Sequence, residues 1–236
     1  MTDLDQLLVV QEQDNAADAL AHKRANLAER AVLAGHTAEL ETIDRGIADA
    51  EARRHELARV QKRHEDEARS AEDHAAQEEK KLYSGTVTGA RELQDLQSEV
   101  DSLRRRQAEI EDQVLEVMVE IEPIDTELAE LRARREPLAA AVDTATVALA
   151  EAEAAVDAEL AEVKAARDAA AADVPADALD AYTKTRPLFG GTTVAKLVGR
   201  DCVGCPLAIP AVEADRIKKA PPGFEWCDEC GRVVIH

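Results

Sequence analysis

Four cysteines near the end of the sequence have the spacing of a metal site. Cys202 and Cys205 form one Cys-x-x-Cys pair, and Cys227 and Cys230 form a second pair after twenty-one intervening residues. Two residues between thiols let one tight turn direct both sulfurs at one ion, and two such pairs at this separation are typical of a zinc ribbon. The spacing therefore predicts one structural Zn²⁺ per chain, bound by four thiolates that leave no open position for water.

The residues that follow the two pairs predict turns of different kinds. Gly231 follows the second pair, and a residue that tolerates positive φ there lets backbone N–H groups turn toward the sulfurs. Pro206 follows the first pair and has no N–H to donate. Two other arrangements fit the same cysteines: a pair of disulfides, or a catalytic thiol pair of the thioredoxin kind, which would not require the second pair.

The sequence indicates no other chemistry. None of the six histidines lies three or four residues from another, and the motifs of zinc proteases, dinucleotide-binding loops and P-loops are absent from the sequence. The many carboxylates fall on a predicted solvated helical surface, which offers no pocket to desolvate them. We therefore expect a protein that is not an enzyme.

The composition is that of long helices with a small compact module toward the C-terminus. Of the 236 residues, 33% are charged, and four of the five aromatic residues lie in the last fifty-five. The net charge is −20, of which residues 184–236 carry +2 and residues 1–183 carry −22. A strongly acidic segment repels phosphate backbones, so a contact with nucleic acid would have to be made by the C-terminal module.

Basic residues of this module are candidates for contacts with nucleic acid or with a partner. They are Lys196, Arg200, Arg216, Lys218, Lys219 and Arg232, with Trp226 as a face on which a base could stack. The alternative for the basic residues is an ordinary solvated surface, and the alternative for Trp226 is a place in the core of the module.

The start of the sequence gives no targeting signal. Residues 1–5 include no basic segment and no apolar signal core, and no run of eighteen apolar residues occurs in the sequence. Paired cysteines at ligand spacing favour a reducing compartment. The sequence therefore predicts a cytoplasmic protein without a membrane-spanning segment.

A long apolar repeat predicts a coiled coil between residues 93 and 156. Nineteen positions separated by alternating steps of three and four residues carry seventeen apolar side chains, the exceptions being Gln107 and Arg135. A sustained 3.5-residue period imposes a left-handed coiled coil. A weaker, alanine-rich repeat from residue 40 to residue 82 predicts the partner helix.

Two arms of similar length around one turn predict an antiparallel hairpin. Glycines and hydroxyl residues break the helix at a tip at about residues 83–90, where we expect Tyr83 to pack as a cap. Reflection through this tip places Pro123 and Pro137 near Gly46 and Gly35, respectively. Helix breakers at matching heights predict a shared bend, and the alternative is two independent, tolerated kinks.

A linker helix and a small β module are predicted after the hairpin. Pro175 ends the second arm, residues 177–186 predict a short helix, and residues 187–191 predict a turn. The predicted strands are residues 192–198, 208–210, 212–217 and 232–235. The predicted fold class is mainly α: a long antiparallel coiled-coil hairpin over residues 1–174, then a linker helix and a four-cysteine zinc ribbon of short β-strands over residues 175–236.

Short segments of the chain resemble the bacterial C4-type zinc-ribbon family, also called the DUF164 family. Residues 82–85 with 91–97 are similar to its hairpin tip, residues 179–182 to its linker helix, and residues 227–234 to its closing cysteine turn. The resemblance covers the full length and implies a hairpin, a ribbon and zinc ligation by the four cysteines. Members are described as flagellar or type III secretion chaperones and as nucleic-acid-binding proteins, which implies an interaction protein without a specific client.

Two functions are consistent with these observations. The first is a zinc-binding adaptor or chaperone-like protein whose hairpin arm binds protein partners. The second is nucleic-acid binding through the ribbon. Two arms can bury one apolar seam within a single chain, and a four-helix homodimer is the alternative.

Overall fold

The structure is a computed structural model that describes residues 4–205, 209–220 and 223–235. Its helices are α1 (Asp5–Ala25), α2 (Ala28–Tyr83), α3 (Ala90–Ala172), α4 (Ala176–Phe189) and α5 (Ala211–Lys219). Its strands are β1 (Val194–Val198), β2 (Asp201–Cys202), β3 (Phe224–Trp226) and β4 (Val233–Ile235). A long helical hairpin followed by a small sheet of short strands confirms the predicted fold class. No helix within the described residues has both the length and the apolar character needed to cross a membrane.

The chain divides into two compact units. Residues 33–144 form one, here called the arm unit, and residues 1–32 together with 145–236 form the other, here called the sheet unit. The division predicted from the sequence, at residue 174, stays a prediction because compactness alone does not establish which parts fold independently.

Ion pairs between α2 and α3 show that the two helices run antiparallel in the arm unit. Residue numbers rise along one helix as they fall along the other in the pairs Arg104–Glu79, Arg54–Asp125 and Arg135–Asp44. These pairs flank the apolar seam and are exposed, so they set the register of the two helices more than they stabilise them.

The apolar repeat of α3 lies in the seam of the hairpin. All seventeen of its apolar positions are buried or half-buried, whereas the exception Arg135 is exposed and pairs with Asp44. The buried positions are Val100, Ile110, Val117, Ile121, Ile124, Leu128, Ala145 and Val156. On α2, the buried positions include alanines at 50, 68, 71 and 75, and small side chains there leave room for the larger residues of α3.

Helix α3 continues through both of its prolines, at positions 123 and 137. The predicted match of Pro123 with Gly46 is wrong, because a Cβ on Gly46 would lie 3.4 Å from the Leu131 side chain. The register set by the ion pairs therefore differs from a simple reflection through the tip.

The tip is closed by hydroxyl groups and not by an aromatic cap. The Ser84 hydroxyl donates to the Lys81 carbonyl at 2.8 Å and lies 2.6 Å from the Thr86 hydroxyl. Tyr83 is 75% exposed, so the predicted packed cap is wrong. The turn satisfies its own polar groups, and the ring is left in solvent.

The sheet unit contains a four-stranded sheet with the strand order β2-β1-β4-β3. Strands β1 and β4 are parallel, and the two outer pairs are antiparallel. Because side chains alternate along a strand, Val194 and Ala195 face opposite sides of the sheet. Val194 packs in a core with α1 and α4, whereas Ala195 packs in a second core with the cysteines and α5.

Several C-terminal elements agree with the sequence, and others do not. The short helix and the strands predicted at 192–198 and 232–235 correspond to α4, β1 and β4, although α4 extends through Pro187 into the predicted turn. The strand predicted at 212–217 is wrong. Ala214 and Ile217 are three residues apart and bury one face of a helix, α5. Of the strand predicted at 208–210, Ala208 lies outside the described residues, and Ile209 and Pro210 are in no strand.

The first arm is two helices where the sequence predicts one. Asn26 ends α1, with its backbone N–H donating to the His22 carbonyl at 3.1 Å and its side-chain amide donating to the same carbonyl at 2.8 Å. Helix α2 begins two residues later, at Ala28. Helix α1 buries Leu7 and Val10 against α4 and the strands β1 and β4, a contact that the sequence analysis does not predict.

Candidate metal centre

The structure brings all four predicted ligands together. One sulfur from each of Cys202, Cys205, Cys227 and Cys230 lies within 4.8 Å of every other. Four Zn–S bonds of 2.3 Å in a tetrahedron place the sulfurs about 3.8 Å apart. All four cysteines are free thiols. The cluster therefore has the donor set and the spacing to hold one metal ion. The alternative of two disulfides is not what the structure shows, because no two of the four sulfurs are bonded to each other.

Each cysteine pair sits where a strand passes into a turn. Cys202 ends β2, and the Cys205 N–H donates to the Cys202 carbonyl at 3.1 Å. Cys227 directly follows β3, and its N–H donates to the Arg232 carbonyl at 2.9 Å. Cys202 and Cys227 pack in one core with Ala195 and Val234, so the two turns meet on the same side of the sheet.

Gly231 has the conformation that the sequence predicts. Its φ is +71°, and its N–H donates to the Cys227 carbonyl at 2.7 Å, which closes the second turn. Gly204 in the first turn is needed for space, since a Cβ there would lie 2.7 Å from the Arg232 side chain and 3.0 Å from Ala195 Cβ. Pro206, on which the predicted difference between the turns depends, lies outside the described residues.

The thiols differ in how readily they ionise. The pKa of Cys202 is raised to about 12, mainly by burial and also by the neighbouring thiolates, against a hydrogen bond from the Gly204 backbone that lowers it. Burial also raises the pKa of Cys227, with a hydrogen bond to Cys230 acting in the same direction. For Cys230, burial is outweighed by hydrogen bonds from the Arg232 backbone and side chain, which lower its pKa to about 7. A bound cation favours the thiolate at every position.

An apolar core supports the cluster from one side of the sheet. Cys202 and Cys227 are 1% exposed and pack with Ile209 and Ile217, each at most 1% exposed. Helix α5 supplies Ile217, so the helix that the sequence predicts as a strand forms one wall of the site. This core keeps water from the two inner sulfurs.

Most of the basic candidates already have partners. Lys196 lies 2.6 Å from Asp5 of α1, and Arg216 pairs with both Glu213 and Glu225. Lys219 lies 3.8 Å from Asp215. These carboxylates compete with phosphate for the same cations.

The two remaining arginines hold the backbone around the cluster. Arg200 donates to the Ile209 carbonyl at 3.3 Å, and Arg232 donates to the Thr192 carbonyl at 2.7 Å. The Arg232 guanidinium also lies 4.7 Å from the centre of the Phe189 ring. Their contacts are those of structural residues.

Lys218 and Trp226 are the candidates that remain accessible. Among the described residues, Lys218 is exposed and has no carboxylate in salt-bridge range. Trp226 is 42% exposed and meets Phe224 edge to face at 6.0 Å, so the alternative of a place in the core is wrong, and its role as a contact face stays a prediction. As β3 is an edge strand, a side chain there has a neighbouring strand on one side only.

Sequence reasoning missed a set of polar residues that joins α1 to β1, α3 and α4. Gln11 bonds to the backbone at the start of β1, and Asn15 donates to the Gly191 carbonyl at 2.6 Å. The Asp14 carboxylate accepts from Tyr182 at 2.8 Å and from Arg167 at 3.3 Å. Polar residues on a helix usually indicate a solvent-exposed surface. The structural role of Gln11, Asp14 and Asn15 becomes visible only from their partners, which lie far away in the sequence.

The hairpin, the small sheet and the four-cysteine cluster define a class of hairpin proteins that can bind a metal ion in a C-terminal module. The chain belongs to the family of the CT398-like coiled coil hairpin domain, whose model matches residues 10–190. The resemblance seen in the sequence is thus confirmed for a coiled-coil hairpin family.

Relatives span nearly the whole chain. An uncharacterized protein of Mycobacterium tuberculosis is 30% identical over 231 residues, which cover 97% of this chain and 93% of that protein. A solved structure from Mycobacterium smegmatis has a TM-score of 0.84 at 27% identity, covering 99% of this chain and 97% of its own. The structure of CT398 from Chlamydia trachomatis has a TM-score of 0.71 at 18% identity, covering 99% and 97%, and shares the fold.

Proposed function

We propose that this protein is a non-enzymatic, zinc-binding adaptor or chaperone-like protein whose coiled-coil arm binds protein partners. The observation that carries the proposal is the meeting of four free thiols within 4.8 Å beside a sheet onto which α1 and α4 pack. A metal ion at that position would hold together the turns that organise the sheet. The zinc-ribbon identity and the relation to secretion chaperones, implied by the sequence resemblance, belong to this proposal.

Zinc is the ion that best suits the donor set. Thiolates are soft ligands, and a four-sulfur site is typical of Zn²⁺ or of iron–sulfur centres. The two Cys-x-x-Cys turns match the ligand spacing of structural zinc sites. Four protein ligands saturate a tetrahedral ion, so the proposed role is structural and the protein is proposed not to be an enzyme.

The arm is the proposed binding element because it presents apolar side chains to solvent. Leu115, Met118 and Val119 of α3 are 58%, 49% and 68% exposed, respectively. Three large apolar residues on adjacent turns of one exposed helix are a feature of interaction surfaces. We also propose a reducing, cytoplasmic location, because thiolates must stay unoxidised to bind the ion.

Nucleic-acid binding through the ribbon is the second candidate. The observation in its favour is the exposure of Lys218 and Trp226 in the sheet unit. Against it, the other basic candidates are engaged by carboxylates, carbonyls or a ring. One unpaired lysine and one exposed indole among the described candidates favour weak contact at most, so the adaptor is the better supported function.

Elemental analysis of the purified full chain and an affinity pull-down with and without nuclease test the proposal together. We expect one zinc per chain and protein partners whose recovery is unaffected by nuclease. Absence of zinc, or an iron–sulfur absorption spectrum, would refute the zinc centre. Recovery that disappears with nuclease would replace the adaptor by the nucleic-acid-binding protein. A chain with Cys202, Cys205, Cys227 and Cys230 all changed to Ser is the control for metal content.

A further inference from the structure

We propose that a groove on one side of the arm unit binds an amphipathic helix whose apolar stripe is flanked by lysines and arginines. The inference rests on the proposed adaptor function and names the chemistry of the partner. Two ridges of side chains, one from each helix of the hairpin, form the walls of this groove.

Regular spacing defines the two ridges. The α3 ridge consists of Glu111, Leu115, Met118, Glu122, Asp125 and Ala129. The α2 ridge consists of Gln61, Glu65, Ala68 and Glu72, and Arg69 beside it is a basic residue set against five carboxylates of the same lining. Steps of three and four residues keep each set on one side of its helix, next to the buried seam. Two cavities of about 570 and 520 Å³ therefore follow one another along the same side of the hairpin.

The dimensions suit a helix. The α3 ridge spans eighteen residue steps, which corresponds to about 27 Å of helix axis. Leu115 and Met118 are its most exposed apolar residues, at 58% and 49%. A helix lying in a groove between two others buries an apolar stripe spaced at i, i+3, i+4 and i+7. The two residues would be anchors for such a stripe.

The charge of the groove selects a basic partner. Residues 107–131 of α3 contain nine acidic residues and no lysine, arginine or histidine. Among the described residues, Glu122 and Glu72 have no cationic partner, and Glu65 and Glu111 accept hydrogen bonds only from neutral glutamines. These carboxylates are available to lysines or arginines that flank an apolar stripe.

A second copy of the chain is a poorer occupant. The chain carries a net charge of −20, so self-association through this groove would bring carboxylates together. An apolar stripe with acidic flanks is excluded for the same reason. The groove is therefore assigned to a basic amphipathic helix of another protein.

A labelled peptide tests the assignment with the metal-loaded full chain. The probe is a fluorescein-labelled eighteen-residue helix with leucines at i, i+3, i+4 and i+7 and lysines elsewhere on its surface. Its controls are the same composition in scrambled order and the same stripe flanked by glutamates. Fluorescence anisotropy should show binding of the probe that weakens as salt rises, with both controls much weaker.

Two variants locate the binding. The double variant Leu115→Ser, Met118→Ser lacks the proposed anchors and should bind the probe with about tenfold lower affinity. Val147→Ser removes an apolar residue of α3 that is 59% exposed and lies eighteen residues beyond the end of the ridge, and it should change affinity less than about twofold. Circular dichroism of both variants should remain that of the parent chain, since the three residues are exposed.

Three results would overturn the inference. The first is equal affinity of the double variant and Val147→Ser, and the second is equal binding of the scrambled peptide. The third is a dimer in sedimentation that the double variant dissociates, which would assign the groove to a second copy. If protein partners bind the arm and the double substitution does not change their affinity, the groove proposal is wrong but the proposed adaptor function still stands.

Discussion

The side-chain amide of Gln11 in α1 and the backbone of Val194 in β1 form a closed pair of hydrogen bonds. Gln11 Oε1 accepts from the Val194 N–H at 2.6 Å, and Gln11 Nε2 donates to the Val194 carbonyl at 3.1 Å. The same Oε1 accepts from the Thr193 N–H at 2.6 Å. One glutamine thus satisfies three backbone groups at the entrance to the first strand of the sheet.

Replacing Gln11 by Ala should destabilise the sheet unit. The substitution leaves the N–H groups of Thr193 and Val194 unpaired, and both residues are at most 1% exposed. We expect a loss of about 1–3 kcal/mol in the free energy of unfolding. Denaturant unfolding followed by Trp226 fluorescence measures it. Glu12→Ala, at the exposed neighbouring position, is the matched control, and equal stability of the two variants would contradict the prediction.

Replacing Cys227 by Ser should release the metal ion and unfold the sheet while most helical signal remains. The cysteines pack in the core with Ile217 and Val234, whereas most of α2 and α3 lies outside the sheet unit. Metal content by elemental analysis, near-ultraviolet and far-ultraviolet circular dichroism measure the three effects. Val203→Ser, an exposed change beside Cys202, should retain metal. Loss of most helical signal in Cys227→Ser would show that the arm depends on the site.

The stability of the sheet unit should fall at alkaline pH because of Tyr182. Burial, together with the hydrogen bond to Asp14, raises the pKa of its phenol above the ordinary value of 10.0. Since the unfolded chain loses this proton first, the stabilisation is complete below pH 10 and is lost as the pH rises further.

The measurement is the free energy of unfolding between pH 8 and pH 11. Tyr182→Phe should lessen its decline above pH 10, although the Phe variant starts lower because Asp14 loses a donor. Tyr83→Phe, which removes an exposed phenol, should leave the decline unchanged. A parent chain whose stability is flat over this range would refute the prediction.

Two glycine-to-alanine changes should have opposite effects. Gly231 has a φ of +71°, and an alanine there should weaken the second cysteine turn by about 1–2 kcal/mol. Gly35 lies within α2 with no atom near an added Cβ, and an alanine there should stabilise by about 0.5–1 kcal/mol. Competition with a zinc chelator measures the first change, and thermal unfolding of the full chain measures the second. Similar metal affinity in Gly231→Ala and the parent would count against the role of the turn.

Nucleic-acid binding should be weak. We expect a single-stranded RNA oligonucleotide to bind the full chain at micromolar affinity or weaker at physiological salt, in the range of non-specific binding. Lys218→Glu with Lys219→Glu should abolish it without changing metal content, since neither residue is a ligand. Nanomolar binding that survives the double substitution would favour the second candidate function. The full chain is the right material, because a fragment of residues 184–236 lacks the α1 side of the core.

Local spacing made the seam and the cysteines predictable. The three–four repeat of α3 needs no knowledge of distant residues, and neither do the Cys-x-x-Cys turns or the positive φ of Gly231. The sequence predictions failed where a segment was too short for its periodicity to identify it, or where its structure depends on residues far away in the sequence. The segment at 212–217 was too short to separate a strand from a helix, and its two buried residues, Ala214 and Ile217, decide for a helix only once the sheet is in place.

Helix α1 was the largest omission. Apart from Leu20, its large apolar residues form one short run at residues 7–10, and its contacts depend on Gln11, Asp14 and Asn15, residue types that usually indicate solvent. The prediction for Tyr83 was wrong for the opposite reason. An aromatic residue beside a turn suggests burial, but the hydroxyls of Ser84 and Thr86 close the tip without it. Contacts between residues that are far apart in the sequence produce no local sequence pattern from which they could be predicted.

The distance along the chain between Gln11 and Val194 has a consequence for synthesis on the ribosome. The two residues are 183 positions apart. At 5–20 residues per second, roughly 10–40 s pass between the appearance of one and of the other. Leu7 and Val10 therefore emerge long before the strands that cover them. During this interval the nascent chain exposes an apolar helix, and the sheet unit can complete its fold only when β4, the last strand, has left the exit tunnel.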